Sequence, residues 1–321
     1  MSELLLGGIA ASLACFFTNP LEVVKTRVQL QGELKARGAY YVHYRNVFHA
    51  FYAMAKHESL LSLQKGLVPA IYYQFVMNGF RLGFYQCLDN YGFTRNEKNE
   101  VVFVKSVAAG AFSGVAGAYA ASPLYMIKTQ LQAKSCIGNP VGYQHSHNSM
   151  TEAFRSVYQS YGIKGLWRGV TSSIARVSVG SAIQLTTFSK LKDILHDKKI
   201  IAADSSLNTL CAATIGGTVV TACMTPFDVV ATRLYNQPVD PKTGKGLIYS
   251  GITDCITKII RTESFLGLYK GWSAVLFRLG PHTVLSLFFW REIRKIYFDL
   301  KVPSTIPIKA SGTEFSKVVN N

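Results

Sequence analysis

Apolar residues gather into six stretches, near residues 4–30, 68–91, 102–133, 171–193, 205–236 and 273–299, and polar residues collect in the connections between them. As a helix rising about 1.5 Å per residue, each stretch is long enough to cross a ~30 Å hydrocarbon core. Residues 31–66, 134–169 and 237–271 form long connections, and residues 90–104 and 193–206 short ones. The pattern predicts an all-α membrane protein with six transmembrane helices. Several stretches carry charges, and a charge at membrane depth has to face water or a counter-charge.

The punctuation of the chain returns three times. P-L-E-V-V-K-T-R begins at Pro20, P-L-Y-M-I-K-T-Q at Pro123 and P-F-D-V-V-A-T-R at Pro226, with 103 residues between successive prolines. Lys65-Gly66, Arg168-Gly169 and Lys270-Gly271 follow their prolines at a nearly constant distance, and Trp167 and Tyr269 precede two of the three pairs. Three such marks in step mean internal triplication. The predicted repeats are residues 1–100, 101–203 and 204–299, with residues 300–321 left as a polar, mobile tail. A soluble helical solenoid is a poor fit, because its repeats run only ~20 to 50 residues. Gly7 and Ala11 recur in register as Gly110 and Gly114 and as Ala213 and Gly217, small pairs that let helices approach closely. Pro20, Pro123 and Pro226 each remove a helical hydrogen bond and predict a shared kink. Short amphipathic segments at 47–57, 150–161 and 252–263 predict one interfacial helix per repeat.

The net charge of +16 sharpens this picture. The three long connections hold fourteen Lys/Arg against six Asp/Glu, and the two short ones four against five. The positive-inside rule then puts the long connections on the inner side and both termini outside. No zinc pattern, RNP motif or basic zipper accompanies the charge, so nucleic acid is not an expected partner. The six cysteines, Cys15, Cys87, Cys136, Cys211, Cys223 and Cys255, show neither CxxC nor metal-ligand spacing and read as free thiols. The opening M-S-E has no basic or Arg/Ser-rich leader, so any targeting signal is expected to be internal.

The charges beyond the prolines select a pairing. Glu22 and Lys25 share a helix face, and their counterparts are Tyr125 and Lys128, then Asp228 and Ala231. Pairing each acidic position with the basic position of the next odd helix gives Glu22 with Lys128, Asp228 with Lys25, and Tyr125 opposite Ala231. The reverse direction strands two charges, at several kcal/mol. The forward ring is therefore predicted, with one side lacking an ion pair. Gln29, Gln132 and Tyr235, nine residues past their prolines, either brace the ring or are ordinary interfacial polar residues.

The basic-glycine pairs Lys65-Gly66, Arg168-Gly169 and Lys270-Gly271 precede even helices. With Tyr249-Ser250-Gly251 before the last amphipathic segment, they suit an anionic lipid headgroup, cardiolipin being the expected case. A helix-start glycine beside a snorkelling cation is the other reading.

Over residues 4 to 299 these elements together resemble the mitochondrial carrier family. The resemblance implies a monomer of six transmembrane helices in the mitochondrial inner membrane, with a pseudo-threefold cavity and alternating access gated by salt-bridge rings. Several residues depart from the family pattern. Tyr125 and Ala231 occupy ring positions, Gln64 stands where an aromatic is usual, and the outer-gate motif is degraded to Y-Q-C-L-D from Tyr85, F-S-K-L-K from Phe188 and W-R-E-I-R from Trp290.

Arg176 and Arg278 sit at equivalent depth on the fourth and sixth helices, seven residues past their glycines, where the first repeat has Tyr73. Arg81 lies eight residues further along, roughly 12 Å up the axis, in register with Gln184 and Ser286. Three guanidinium groups with no mid-span carboxylate beside them make a field for a small dianion. In the family these positions resemble the substrate contact points. Val177, beside Arg176, is unlike the acidic partner that amino-acid carriers use, and Arg176 itself is unlike the glycine of adenine-nucleotide carriers. T-N-P-L-E-V-V-K-T-R-V-Q-L-Q-G-E from Thr18 and N-G-F-R-L-G-F-Y from Asn78 resemble the oxaloacetate branch and its animal relatives. The expected function is exchange of oxaloacetate, malonate, another dicarboxylate or sulfate. A proton or anion leak and a non-transporting scaffold are the rivals. No nucleophile–base pair, metal cluster or phosphate loop suggests an enzyme, and no cofactor is expected beyond bound cardiolipin.

Overall fold

The computed structural model describes residues 2–301 except 37, 41, 43, 97–101, 136–139 and 198–205. Most side chains between 184 and 197 and those of 206–214 also lie outside the description. The expected tail falls beyond it from residue 302 onward.

Among the described residues the chain forms nine α-helices: α1 (Ser2–Leu30), α2 (Val47–His57), α3 (Leu67–Asn90), α4 (Phe103–Ala133), α5 (Met150–Leu166), α6 (Val170–Asp197), α7 (Ser206–Asn236), α8 (Ile252–Glu263) and α9 (Trp272–Lys301). Tight 3₁₀ turns over Leu60–Gln64 and Phe265–Tyr269 lead into α3 and α9. The one β-type contact among them is an isolated antiparallel bridge between Val239 and Gly246.

The six long helices pack in chain order into a closed ring, α1 against α3, α3 against α4, α4 against α6, α6 against α7, α7 against α9 and α9 back against α1. α1, α4 and α7 also touch one another, so the ring is closed at one end. The polarity is inverted relative to a soluble protein. Phe16, Phe17, Phe112, Phe277 and Phe288 are exposed, whereas Glu22, Lys25, Arg27, Lys128, Asp228 and Arg233 are buried. An apolar exterior around a charged interior is what a lipid surround demands.

Three helices, over Leu5–Leu30, Val104–Ala133 and Ile215–Asn236, are long and apolar enough to cross a membrane. They are the proline-bearing α1, α4 and α7, each helical straight through its proline. The sequence predicts six apolar spans, but α3, α6 and α9 have the length without the uniform apolarity, because polar residues such as Gln74, Arg176 and Arg278 line the inside of the ring.

The three basic-glycine pairs have a geometric reason. Gly66, Gly169 and Gly271 have φ of +70°, +87° and +77°, a region glycine enters without a Cβ penalty. A Cβ on each would press on Gln132, Tyr235 and Gln29 respectively, within 3.1 Å. Each glycine thus receives one of the three residues that follow the prolines by nine.

Candidate functional site

At the closed end of the ring, Glu22 pairs with Lys128, and Lys25 pairs with Asp228 at 2.5 Å. Both are forward pairs. All four side chains are at most 9% exposed, so removing one partner would strand a buried charge. Gln29 donates to Asp228 at 3.1 Å and accepts from the Thr232 hydroxyl at 2.8 Å, which makes it a brace on that pair. Gln132 does not touch the other pair. It accepts from Thr26 and donates to Asn19, both at 3.1 Å, joining α4 to α1. Tyr235 shares a 2.8 Å hydrogen bond with Ser122.

The side of the ring without an ion pair is packed rather than empty. Tyr125 packs between Tyr73 and Tyr235 with its ring tilted against both, at centroid distances of 5.2 and 5.1 Å, and Ala231 belongs to the same buried cluster. Lys128 lies 5.2 Å from the Tyr73 ring centre and Arg176 lies 5.0 Å from that of Tyr125. Aromatic faces attract cations, so the cluster grips the neighbouring charges as well as filling the gap.

Above this floor is a cavity of about 560 Å³, lined by Arg81, Arg176 and Arg278 together with Asn78, Val177, Gln74 and His282. The sequence reading leaves the arginines free of carboxylates, and the structure corrects this. Arg278 pairs with Glu22 at 2.8 Å. Arg176 donates to the Tyr73 hydroxyl at 3.0 Å and lies 4.0 Å from Asp228. The carboxylates belong to α1 and α7, and packing of the even helices against them brings the arginines within reach. Arg81 makes no hydrogen bond or ion pair with a described residue and is exposed to the cavity. Asn78 donates to the Gln74 carbonyl at 2.8 Å. Gln184 lies on α6, but its side chain falls outside the described residues.

The family model for mitochondrial carrier proteins matches residues 1–96, 99–199 and 202–301. The chain belongs to the mitochondrial carrier family. Mouse solute carrier family 25 member 35 is 52% identical over 295 residues, covering 92% of this chain and 98% of the relative. The mitochondrial oxaloacetate transport protein of Saccharomyces cerevisiae is 37% identical, covering 92% and 89%. Mitochondrial citrate transporter E of Aspergillus niger is 38% identical, covering 90% and 91%. Carriers of this family are multi-pass transporters of the mitochondrial inner membrane, not enzymes.

Two residues missed in the sequence organise the closed end of the ring. Glu58 pairs with Arg27 and with Lys65 at 3.2 Å, and Glu263 pairs with Arg233 and Lys270, both at 2.5 Å. Burial pushes both carboxyls upward, but the charge and hydrogen bonds of Arg27 and Lys65 hold Glu58 below its ordinary value, and those of Arg233 and Lys270 do the same for Glu263. Each triad also clamps the end of the next odd helix, since Arg27 donates to the Gln132 and Lys134 carbonyls and Lys270 to those of Gln31 and Gly32. The ammonium groups of Lys65 and Lys270 therefore turn inward, where the sequence reading aims them at a headgroup. Tyr249 is 1% exposed and donates to Glu33 at 2.9 Å, which removes it from the lipid surface. Gly251 precedes α8, whose start has no side-chain cap.

The second repeat has no such carboxylate. Tyr161 stands where the others have glutamate and Gln130 where they have arginine, and Arg168 lies 5.5 Å from the Tyr161 ring centre. The buried Nε and Nη1 of Arg168 have no hydrogen-bond partner among the described residues. The missed glutamates carried a usable signal, each preceding its basic-glycine pair by the same seven residues.

At the other end of the ring, Asp89 of the degraded outer motif is held locally by Thr94 and, at 3.4 Å, by Arg95. Gln64, in place of an aromatic, accepts from Asn19 at 3.1 Å.

Proposed function

We propose that this carrier exchanges small dianions, with oxaloacetate, malonate, related dicarboxylates and sulfate as the candidate class, by alternating access through the arginine-lined cavity. The observation that carries the reading is that Arg176 and Arg278 already hold carboxylates, those of Asp228 and Glu22. A carboxylate of the substrate offers the same atoms. As it takes Arg278 from Glu22 and Arg176 from Asp228, each floor ion pair loses its second cation, and binding energy is drawn toward opening the floor. Arg81, with no hydrogen-bond or ion-pair partner among the described residues, supplies the first cation an incoming anion meets. The names of the yeast and fungal relatives, which specify oxaloacetate and citrate, support a carboxylate substrate.

In this reading all six long helices span the inner membrane, the floor and the amphipathic helices face the matrix, and both termini face the intermembrane space, in keeping with the charge of the long connections. The self-contained ring supports a monomer. Cardiolipin would sit at Arg168-Gly169 and at the uncapped start of α8 near Gly251, since Lys65 and Lys270 are engaged internally.

The test is uptake of radiolabelled malonate, oxaloacetate and sulfate into cardiolipin-containing liposomes, with and without internal dianion. Internal-dianion-dependent uptake by the wild type, lost in Arg176→Ala, is the expected result. Folded protein that moves none of the three would refute the reading.

A further inference from the structure

We propose that Gln74 is a hydrogen-bond donor for the oxo oxygen of a 2-oxo dicarboxylate, and that Thr18, His282 and Asn78 hold its amide in the orientation that makes it one. The proposal rests on the dianion reading above and adds what distinguishes one dianion from another.

A chain of hydrogen bonds crosses from α1 to α9 to α3. The Thr18 hydroxyl is 3.0 Å from the Ala14 carbonyl and 3.1 Å from Nδ1 of His282. A carbonyl only accepts, so the single hydroxyl proton goes to Ala14, and Thr18 is left to accept at its other side. Nδ1 of His282 therefore carries the proton and donates. In the neutral ring Nε2 is then an acceptor, and it lies 3.1 Å from Nε2 of Gln74. The order of donors and acceptors, set at Ala14, leaves the Gln74 amide one way round. Its oxygen faces the Asn78 amide at 3.5 Å, and Asn78 also donates to the Gln74 backbone carbonyl at 2.8 Å. Both acceptors of the Asn78 amide thus lie on Gln74, and one N–H of Gln74 is left without an acceptor among the described residues, at the cavity wall.

This relay lies on the α3–α9 wall of the cavity, which presents Gln74, Asn78 and His282, whereas the α6–α7 wall offers Val177, Gly180 and Met224 with the Ser181 hydroxyl among them. A dicarboxylate spanning Arg176 and Arg278 would expose its backbone to both walls. A methylene there leaves the buried Gln74 donor unsatisfied, and an oxo oxygen satisfies it. Gln74 touches the substrate in this scheme. Thr18, His282 and Asn78 are positioning residues.

The measurement is the ratio of oxaloacetate to succinate uptake, taken as Vmax/KM in liposomes loaded with internal dianion, since the two differ by the oxo group. Wild type should favour oxaloacetate. Gln74→Leu and His282→Leu should cut that ratio about tenfold, the scale of one buried hydrogen bond. His282→Gln, whose amide oxygen can replace Nε2 as acceptor, should keep it within about threefold of wild type. Equal use of the two substrates by wild type would overturn the proposal. So would a ratio that stays fixed while uptake of both falls together in the Leu variants, because that pattern belongs to a structural role. Absence of either uptake in wild type would overturn the dianion reading along with it.

Discussion

At the closed end of the ring, the first and third repeats follow the same chain path as the second and hold it with different chemistry. Arg27–Glu58–Lys65 and Arg233–Glu263–Lys270 are buried ionic triads, each tied to carbonyls at the end of the neighbouring odd helix. In the second repeat Gln130 keeps the backbone half of that link, donating to the Tyr235 carbonyl at 3.3 Å, but has no carboxylate to meet. His145 takes up part of the slack, donating to the Asn236 carbonyl at 3.1 Å. Two sides of the closed end are thus locked by charge and one by aromatic packing. The same asymmetry recurs in the floor, where the Tyr125 cluster replaces the third ion pair. Aromatic packing is less directional than a salt bridge, so the second repeat is predicted to be the side on which this carrier opens at lowest cost.

The comparison breaks most decisively if the triads are cut. Glu58→Ala or Glu263→Ala leaves a fully buried arginine without its counter-charge and should cost about 3–5 kcal/mol, seen as a large fall in the unfolding temperature in detergent. Tyr161→Ala should cost less than half as much, and equal losses would mean the three sides are equivalent. Because both glutamates titrate lower in the folded protein than in the unfolded chain, their contribution is complete above the ordinary carboxylate range. It is lost as pH falls through the lower folded value.

A sharper test makes the repeats alike. Gln130→Arg with Tyr161→Glu rebuilds a triad around Arg168, whose buried Nε and Nη1 lack partners among the described residues. The double variant should gain about 1–3 kcal/mol, the range for satisfying buried polar groups, and should slow initial uptake, because the weakest side is now locked. Faster uptake would contradict the assignment of the second repeat as the opening side.

The smallest effect concerns the turn after the amphipathic helix. α5 breaks at Gly162 with φ of 62° and ψ of −163°, a region open essentially to glycine alone, yet the third repeat places Ser264 there with φ of 68° and ψ of 175°. Ser264→Gly should relieve about 1 kcal/mol of backbone strain, measured as a modest rise in unfolding temperature. The same exchange at Gly162 in reverse should lower it.

Much of this molecule was legible in the chain because it depends on local pattern. The period of the apolar stretches, the three prolines and the glycines of the basic pairs specify helix number, register and the triplicated plan. Charge accounting alone also selected the forward ring, since only one direction leaves no charge stranded. The arginines were found by their depth, but their partners were not. Whether Arg278 faces water or Glu22 depends on how α9 is rotated against α1, and no periodicity within either helix encodes that angle. The Gln74–His282 contact is another such case. It joins residues 208 positions apart, neither of which belongs to a repeated motif.

By itself, then, the sequence determined what each helix is and which faces carry charge, for those follow from neighbours a few residues away. Only the tertiary structure decided which cations share a carboxylate, which side of the floor is held by tyrosines and which cavity wall donates hydrogen bonds. Those depend on angstrom-scale packing between helices distant in the chain, where a small rotation exchanges one partner for another.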